Sequence, residues 1–432
     1  MTVDPDAALG YWPSRWPAED GGARRTQAPR SGRGLDIQPG ETLAVVSRDV
    51  PAATMVVLRD PGEAYLLRHT GGDDAISWIE RFDPDSLEPI ERSPDLPGGP
   101  AWPGGVAVHT NGSLYVVFGR HAHRLGPDTV PIAARLLPRD RPYNSFVVLP
   151  DGVLVTKDFG GALPGGAPPP SEPTELLVLE PEALEIVARL TLPERSIARL
   201  SADGNDIYVV GDSTLFRVRW DGTALALDER FAVRYVTLPG QTYGWDAVID
   251  AGAAWFLDNG DGSERYTGTF RGQGISSAPL HLVRVALATG TVALTEICGA
   301  PNGVIANPPA IDPQRRIALG YDSGNGVLAA FSFAHDPAGD TGLEPLWSRP
   351  QDHACHPLRF PDTGEVVTGD YDAERMMDQV VVLDIQTGTE IARADTGSPV
   401  QSVLFPAVGF DRDLYLCSFT TLTHVHVDRV SG

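Results

Sequence analysis

The chain has 432 residues, with 57 acidic against 34 basic side chains and a formal net charge of −23. Such a surface repels phosphate backbones and anionic lipid, which argues against nucleic acid or membrane as a partner. Gly (46) and Pro (38) are plentiful while apolar residues stay at 42%, so many short strands joined by turns are expected in place of long helices.

Three cysteines, Cys298, Cys355 and Cys417, lie far apart with no CxxC spacing, which fits a reducing compartment and disfavours a disulfide scaffold. No run approaches the roughly eighteen apolar residues of a membrane span, and the N-terminus lacks a basic region followed by an apolar core. A soluble, cytoplasmic protein is the expectation.

Residues 1–40 are rich in Pro, Gly, Arg and Asp, carry aromatic anchors at Tyr11, Trp12 and Trp16, and show no period. They are expected to form an extended arm over a single domain spanning 41–432. From Glu41 the first strand appears, LAVVSRD.

The chain then repeats in units of roughly 40–60 residues, each opening with a short apolar strand, a turn and an aromatic-containing second strand. Openings begin near Thr54, Gly104, Asn144, Ser196, Trp245, Asn302, Cys355 and Val400. Gly-containing turns, as in HLVRVALATGTVALTEI and QVVVLDIQTGTEIARAD, read as hairpins between third and fourth strands. The last unit has room for three strands only, and LAVVSRD can supply its missing outer strand. The expected fold is all-β, a β-propeller of eight four-stranded blades closed by the N-terminal strand, with seven or six blades as alternatives. The stretch 301–331, PNGVIANPPAIDPQRRIALGYDSGNGVLAAF, reads as most of one blade, with strands ending at Ala306, at Ile317 to Tyr321 and at Val327 to Phe331.

Two insertions follow second strands, GGALPGGAPPPSEP from Gly160 and DGSERYTGTFRGQGISSAPL from Asp261. Long loops leaving one face of a compact domain are candidate lids.

In a four-stranded blade, the turn entering the innermost strand and the turn leaving the second strand share one face beside the central channel. Polar residues there converge. The openings contribute Asn144, Asp246, Asn302, His353, His356 and Gln401; second-strand ends contribute Arg120, His121, Lys157, Asp158 and Asp370. Asn, Asp and Gly are also the ordinary formers of turns. In the segment HACHPLRF an extended strand points His353 and His356 to opposite sides, and His356 is the one expected in the channel.

The stretch 301–331 resembles blades of the regucalcin/gluconolactonase/strictosidine-synthase-like propellers. The resemblance implies a propeller, lactone hydrolysis as one activity, and an axial metal-ligand role for Asn302. With Asp246 and His356 from the strand openings, Asn302 is expected to bind a divalent cation (Ca, Zn or Mn) or the substrate directly. The expected function is an enzyme of hydrolase or lyase type acting on a small polar molecule. His356, Asp370, Lys157 and Asp158 would move protons, and Asn144, Arg120, His121, Gln401 and His353 would hold the substrate. The alternative is a non-catalytic propeller that binds a ligand or a protein.

Overall fold

A computed structural model of the chain describes residues 10–30, 32–163, 168–334 and 342–429. Eight antiparallel sheets follow one another around a ring. Their innermost strands are Ala53–Leu58, Gly105–Val108, Tyr143–Val148, Ser201–Asp203, Val248–Asp250, Ala310–Asp312, Leu358–Phe360 and Ala407–Val408, defining blades 1 to 8. The first blade carries a fifth short strand, Leu96–Gly99, paired to its third.

The eighth blade obtains its outer strand from the other end of the chain. Glu41–Asp49 runs antiparallel to Thr421–Arg429 in continuous register, from Glu41 opposite Arg429 to Asp49 opposite Thr421. The ring is thereby closed as expected, and closure removes the open edges of an array. Among the described residues no helix is long and apolar enough to cross a membrane.

Burial follows strand position. The first two strands of a blade are covered on both faces by neighbouring blades and are largely apolar: Ala53–Leu58 (ATMVVL), a first strand, and Leu114–Phe118 (LYVVF), a second strand, are buried throughout. Outer strands meet solvent on one face and alternate, as in Ile186–Thr191. The predicted third-to-fourth turns also hold. In the seventh blade the Asp384 carboxylate accepts from the backbone N–H groups of Gln386 and Thr387 at 2.9 Å each. Gly388 then closes the hairpin at φ +70°, a conformation that strains side-chain-bearing residues.

One strand expectation is corrected. The inner strand of the sixth blade is Ala310–Asp312, not the segment ending at Ala306. Pro308 and Pro309 interpose two residues with no N–H to donate, so pairing starts after them. The apolar residues before them are used differently: Val304 packs with Phe270 and Ala354, beneath the insertion from Asp261.

Candidate functional site

The arm that precedes the ring crosses the channel. Its backbone bonds to inner strands of five blades: Leu58 N–H donates to Trp16 O, Val108 to Pro17 O, Ala202 to Ala23 O, Ile249 to Arg24 O and Arg359 to Gln27 O. The Tyr11 hydroxyl adds a sixth, accepting from Val148 N–H at 2.9 Å. Several of these contacts fall at or near the last residues of the inner strands, so the arm plugs the face on which those strands end.

A charged layer forms where the plug meets the channel. Arg25, with a side chain only 2% exposed, donates to Glu19 Oε1 (2.5 Å), Asp20 Oδ2 (3.0 Å), Ser145 Oγ (3.1 Å) and Leu200 O (2.6 Å). Arg199 reaches Glu19 Oε2 (3.2 Å), Asn144 O (2.6 Å), Gly104 O (3.3 Å) and Pro103 O (2.9 Å). Its guanidinium lies 4.3 Å from the centre of the Phe405 ring, a cation–π contact. His356 Nδ1 donates to Asp20 Oδ1 at 2.8 Å, and its ring packs 4.4 Å from Phe405. Burial pushes the Asp20 carboxyl up, but His356 and Arg25 outweigh it and hold it below the usual carboxylate range.

Above this layer, on the face where the inner strands begin, lies a cavity of about 270 Å³. Strand entries supply Trp102 and Pro103, Arg199, Trp245, Ala306 and Asn307, and Val403 to Phe405; second-strand ends supply His69 and Phe419. The insertion from Asp261 covers it with Ser263, Glu264, Tyr266 and Phe270. Entering and leaving turns thus converge on one face, as the blade geometry requires.

The lid is tied down chiefly by Gln401. Its Oε1 accepts from Phe270 N–H (2.8 Å), its N–H donates to Gly268 O (2.8 Å), its carbonyl accepts the Tyr266 hydroxyl (2.6 Å), and its Nε2 donates to Asp352 O (2.9 Å). Arg271 adds an ion pair to Asp352 at 2.7 Å. Gln401→Ala removes both side-chain bonds, a local loss of about 2 kcal/mol. Amide exchange across 262–274 should then accelerate by about tenfold or more while the blade strands keep their protection. The other insertion acts indirectly: Phe159 at its base stacks on Trp102 with ring centres 4.3 Å apart, and its residues 164–167 lie outside the described residues.

None of the residues expected to form the site is among the lining of this cavity. Asn144 is fully buried, its Nδ2 on Ile197 O at 3.1 Å. Asp246 accepts the Arg199 N–H at 2.6 Å. His353 accepts from Gly369 N–H through Nδ1 (2.9 Å), and burial lowers its pKa to about 3. Asp158 is committed to Arg141 (2.9 Å), Arg139 (3.3 Å) and the N–H of Glu175 (2.6 Å). Asp370 is held by Arg393 and the N–H of Asp352, at 2.8 and 2.9 Å. Arg120 pairs with the exposed Asp140 at 2.9 Å, and His121 Nδ1 lies 2.8 Å from Gly98 O. Each has at least one partner within the chain, while Asn144 Oδ1, Asp246 Oδ2 and His353 Nε2 are buried without a hydrogen-bond partner.

The expected cation ligands do not fit a metal. Asn302 is exposed in a turn at φ +61°, its N–H on Ser276 O (2.8 Å), while Asp246 and His356 are both 1% exposed inside the ring. Among the described residues no three His, Cys, Asp or Glu side chains group as a metal site. The Asn-Gly pair serves the turn.

Lys157 is fully buried and donates to Ser196 O at 2.9 Å. Burial lowers its pKa from 10.5 to about 7. Between those values the unfolded chain binds a proton that the folded chain does not, so Lys157 makes stability rise with pH from about 7 to 10.5. The slope is at most about 1.4 kcal/mol per pH unit. Urea titrations across that window should show the rise, and Lys157→Met should flatten it.

Several site residues escaped the sequence reading. Glu19, Asp20 and Arg25 come from an arm without period; their one visible signal is an acidic pair shortly before an Arg-Arg pair among aromatic anchors. Arg199, Trp245 and Asn307 stand within the strand-entry segments, beside the polar residues that were chosen.

No family profile matches the sequence, and no characterised protein matches it in sequence comparison. Solved structures do match. A quinohemoprotein alcohol dehydrogenase from Comamonas testosteroni aligns at TM-score 0.62 and 12% identity over 98% of this chain and 82% of its own. BamB from Moraxella catarrhalis aligns at 0.59 and 13% over 89% and 99%, and the Dos1 propeller at 0.56 and 10% over 92% and 96%. At these identities the likeness carries the fold: the chain is an eight-bladed β-propeller, plugged by its own arm on one face and hollowed into a lidded aromatic cavity on the other.

Proposed function

We propose that the propeller is a ligand-binding module that takes a compact, largely apolar organic molecule into the cavity at its channel mouth. The observation that carries this reading is the lining: Trp102, Trp245, Tyr266, Phe270, Phe405 and Phe419 surround about 270 Å³ under an anchored insertion. Aromatic walls bury large flat area and hold rings by edge or offset contact, and Tyr266 already meets Phe270 and Phe419 at centre distances of 5.1 and 6.0 Å. The binding alternative is favoured over a hydrolase or lyase because expected proton-moving groups are engaged internally, Asp370 by Arg393, Asp158 by Arg141 and Lys157 by Ser196, and His356, bonded to Asp20 through Nδ1, is buried outside the cavity lining. The regucalcin-like resemblance of residues 301–331 enters this reading as architecture.

Isothermal titration with 2-naphthylmethanol tests it. A probe of this size should bind with a Kd of about 0.1–1 mM. Ala306→Phe, which places a phenyl in the cavity, should weaken it by about tenfold or more. Binding undiminished in that variant would place the probe elsewhere and defeat the reading.

A further inference from the structure

The polar groups of the cavity are unequal in kind. Glu264, half-buried on the lid, has no hydrogen-bond or ion-pair partner among the described residues. Burial raises the neighbouring Asp261 carboxyl, against the Tyr243 hydrogen bond, and the Glu264 charge adds to that rise. His69, 7% exposed, has Nδ1 at 2.9 Å from Thr70 O. A carbonyl only accepts, so Nδ1 carries the hydrogen and Nε2 is an acceptor; that Nε2 is buried without a partner. Burial pushes the imidazole below its ordinary pKa, which favours the neutral ring. Asn307 spends its Nδ2 hydrogens on Ala354 O and Val403 O, leaving acceptor capacity only.

Donors are scarce by comparison. Arg199 is the one cation in the lining, and its nitrogens are engaged by Glu19 and by the carbonyls of Pro103, Gly104 and Asn144. The Trp245 Nε1–H is buried without a hydrogen-bond partner and abuts Gly260, where an added Cβ would come within 2.2 Å of that nitrogen. Ser263 can donate or accept. The cavity therefore offers acceptors, one uncompensated carboxylate and the electron-rich faces of aromatic rings.

We propose that the cavity selects a protonated organic amine, with its ammonium held by Glu264 and its apolar body held among the aromatic rings. Ammonium groups gain from both features, by charge-assisted hydrogen bonds and by cation–π attraction. A carboxylate-bearing molecule of the same shape would meet acceptors and like charge. This inference rests on the ligand-binding reading above.

The test compares three probes of one shape, 2-naphthylmethylamine, 2-naphthylmethanol and 2-naphthoate, by isothermal titration at pH 7 with wild type and Glu264→Gln. In wild type the amine should bind about tenfold or more tighter than the alcohol, and the naphthoate weaker than both. In Glu264→Gln the amine should fall to within about threefold of the alcohol measured in the same variant. Equal binding of amine and alcohol in wild type, or an amine preference that survives Glu264→Gln, overturns the amine inference and leaves the ligand-binding reading standing. Failure of all three probes to bind overturns both. Glu264 lies on an insertion outside the blades, so the variant should fold, and an unchanged melting temperature checks that it does.

Discussion

Arg25→Met is expected to detach the arm from the channel and to cost about 3–5 kcal/mol of stability. Arg25 is buried, and its removal leaves Glu19 with Arg199 alone and Asp20 with His356 alone, in a space where each acidic residue is 5% exposed or less. Leu200 O and Ser145 Oγ lose their donor together with them. A buried charge whose partner is deleted pays its desolvation without return, which is why this single change outweighs any surface ion pair. The adjacent Arg24 supplies the control. It pairs with Asp203 at side-chain exposures of 30% and 37%, and Arg24→Met should cost under about 1 kcal/mol. Urea denaturation measures both, and limited trypsin digestion should cut within residues 10–40 only in Arg25→Met. Equal stabilities of the two variants would remove the charged layer from the account.

Arg199→Lys is expected to damage stability and binding together. Its guanidinium serves three backbone carbonyls and Glu19 while stacking on Phe405, so it is at once a tie to the plug and the floor of the cavity. An ammonium keeps the charge but cannot fork to that many acceptors or lie flat on a ring. The carbonyls of Pro103 and Gly104 are left without that donor, at about 1–3 kcal/mol for the set. Phe405 loses its support, and affinity for 2-naphthylmethanol should fall by about tenfold. Retained affinity with lowered stability would separate the floor from the site.

Blade rhythm could be read from sequence because strands packed on both faces must be apolar throughout and hairpin turns must use Asp and Gly, as at Asp384 and Gly388. Inner strands were harder to place. Ala310–Asp312 and Ser201–Asp203 have three residues each, too few for a period, and apolar lead-in segments such as Val304 to Ala306 resemble them. The arm was opaque for a different reason. Arg25 finds its meaning in Ser145 and Leu200, 120 and 175 residues away, and no local pattern encodes such partners.

The site face followed from blade topology, but its side chains did not. Selection by residue type favoured Asn, Asp and His at strand entries, and those side chains turn to internal partners, as Asp246 does to Arg199 and His353 to Gly369. The cavity is lined by nearby apolar and aromatic residues: Trp245 beside Asp246, Leu404 and Phe405 a few residues past Gln401. The insertion from Asp261 was visible as a lid from its length and position alone. Gln401, an expected substrate contact, secures that lid.

A crystal of the protein soaked with 2-naphthylmethanol tests the central claim most directly, that the lidded mouth of the channel is the binding site. The account predicts ring density between Trp102, Phe405 and Phe419, under Tyr266 and Phe270, with the arm in place below. Density only on the arm face or the outer blades, with this cavity empty at saturating probe, would contradict it.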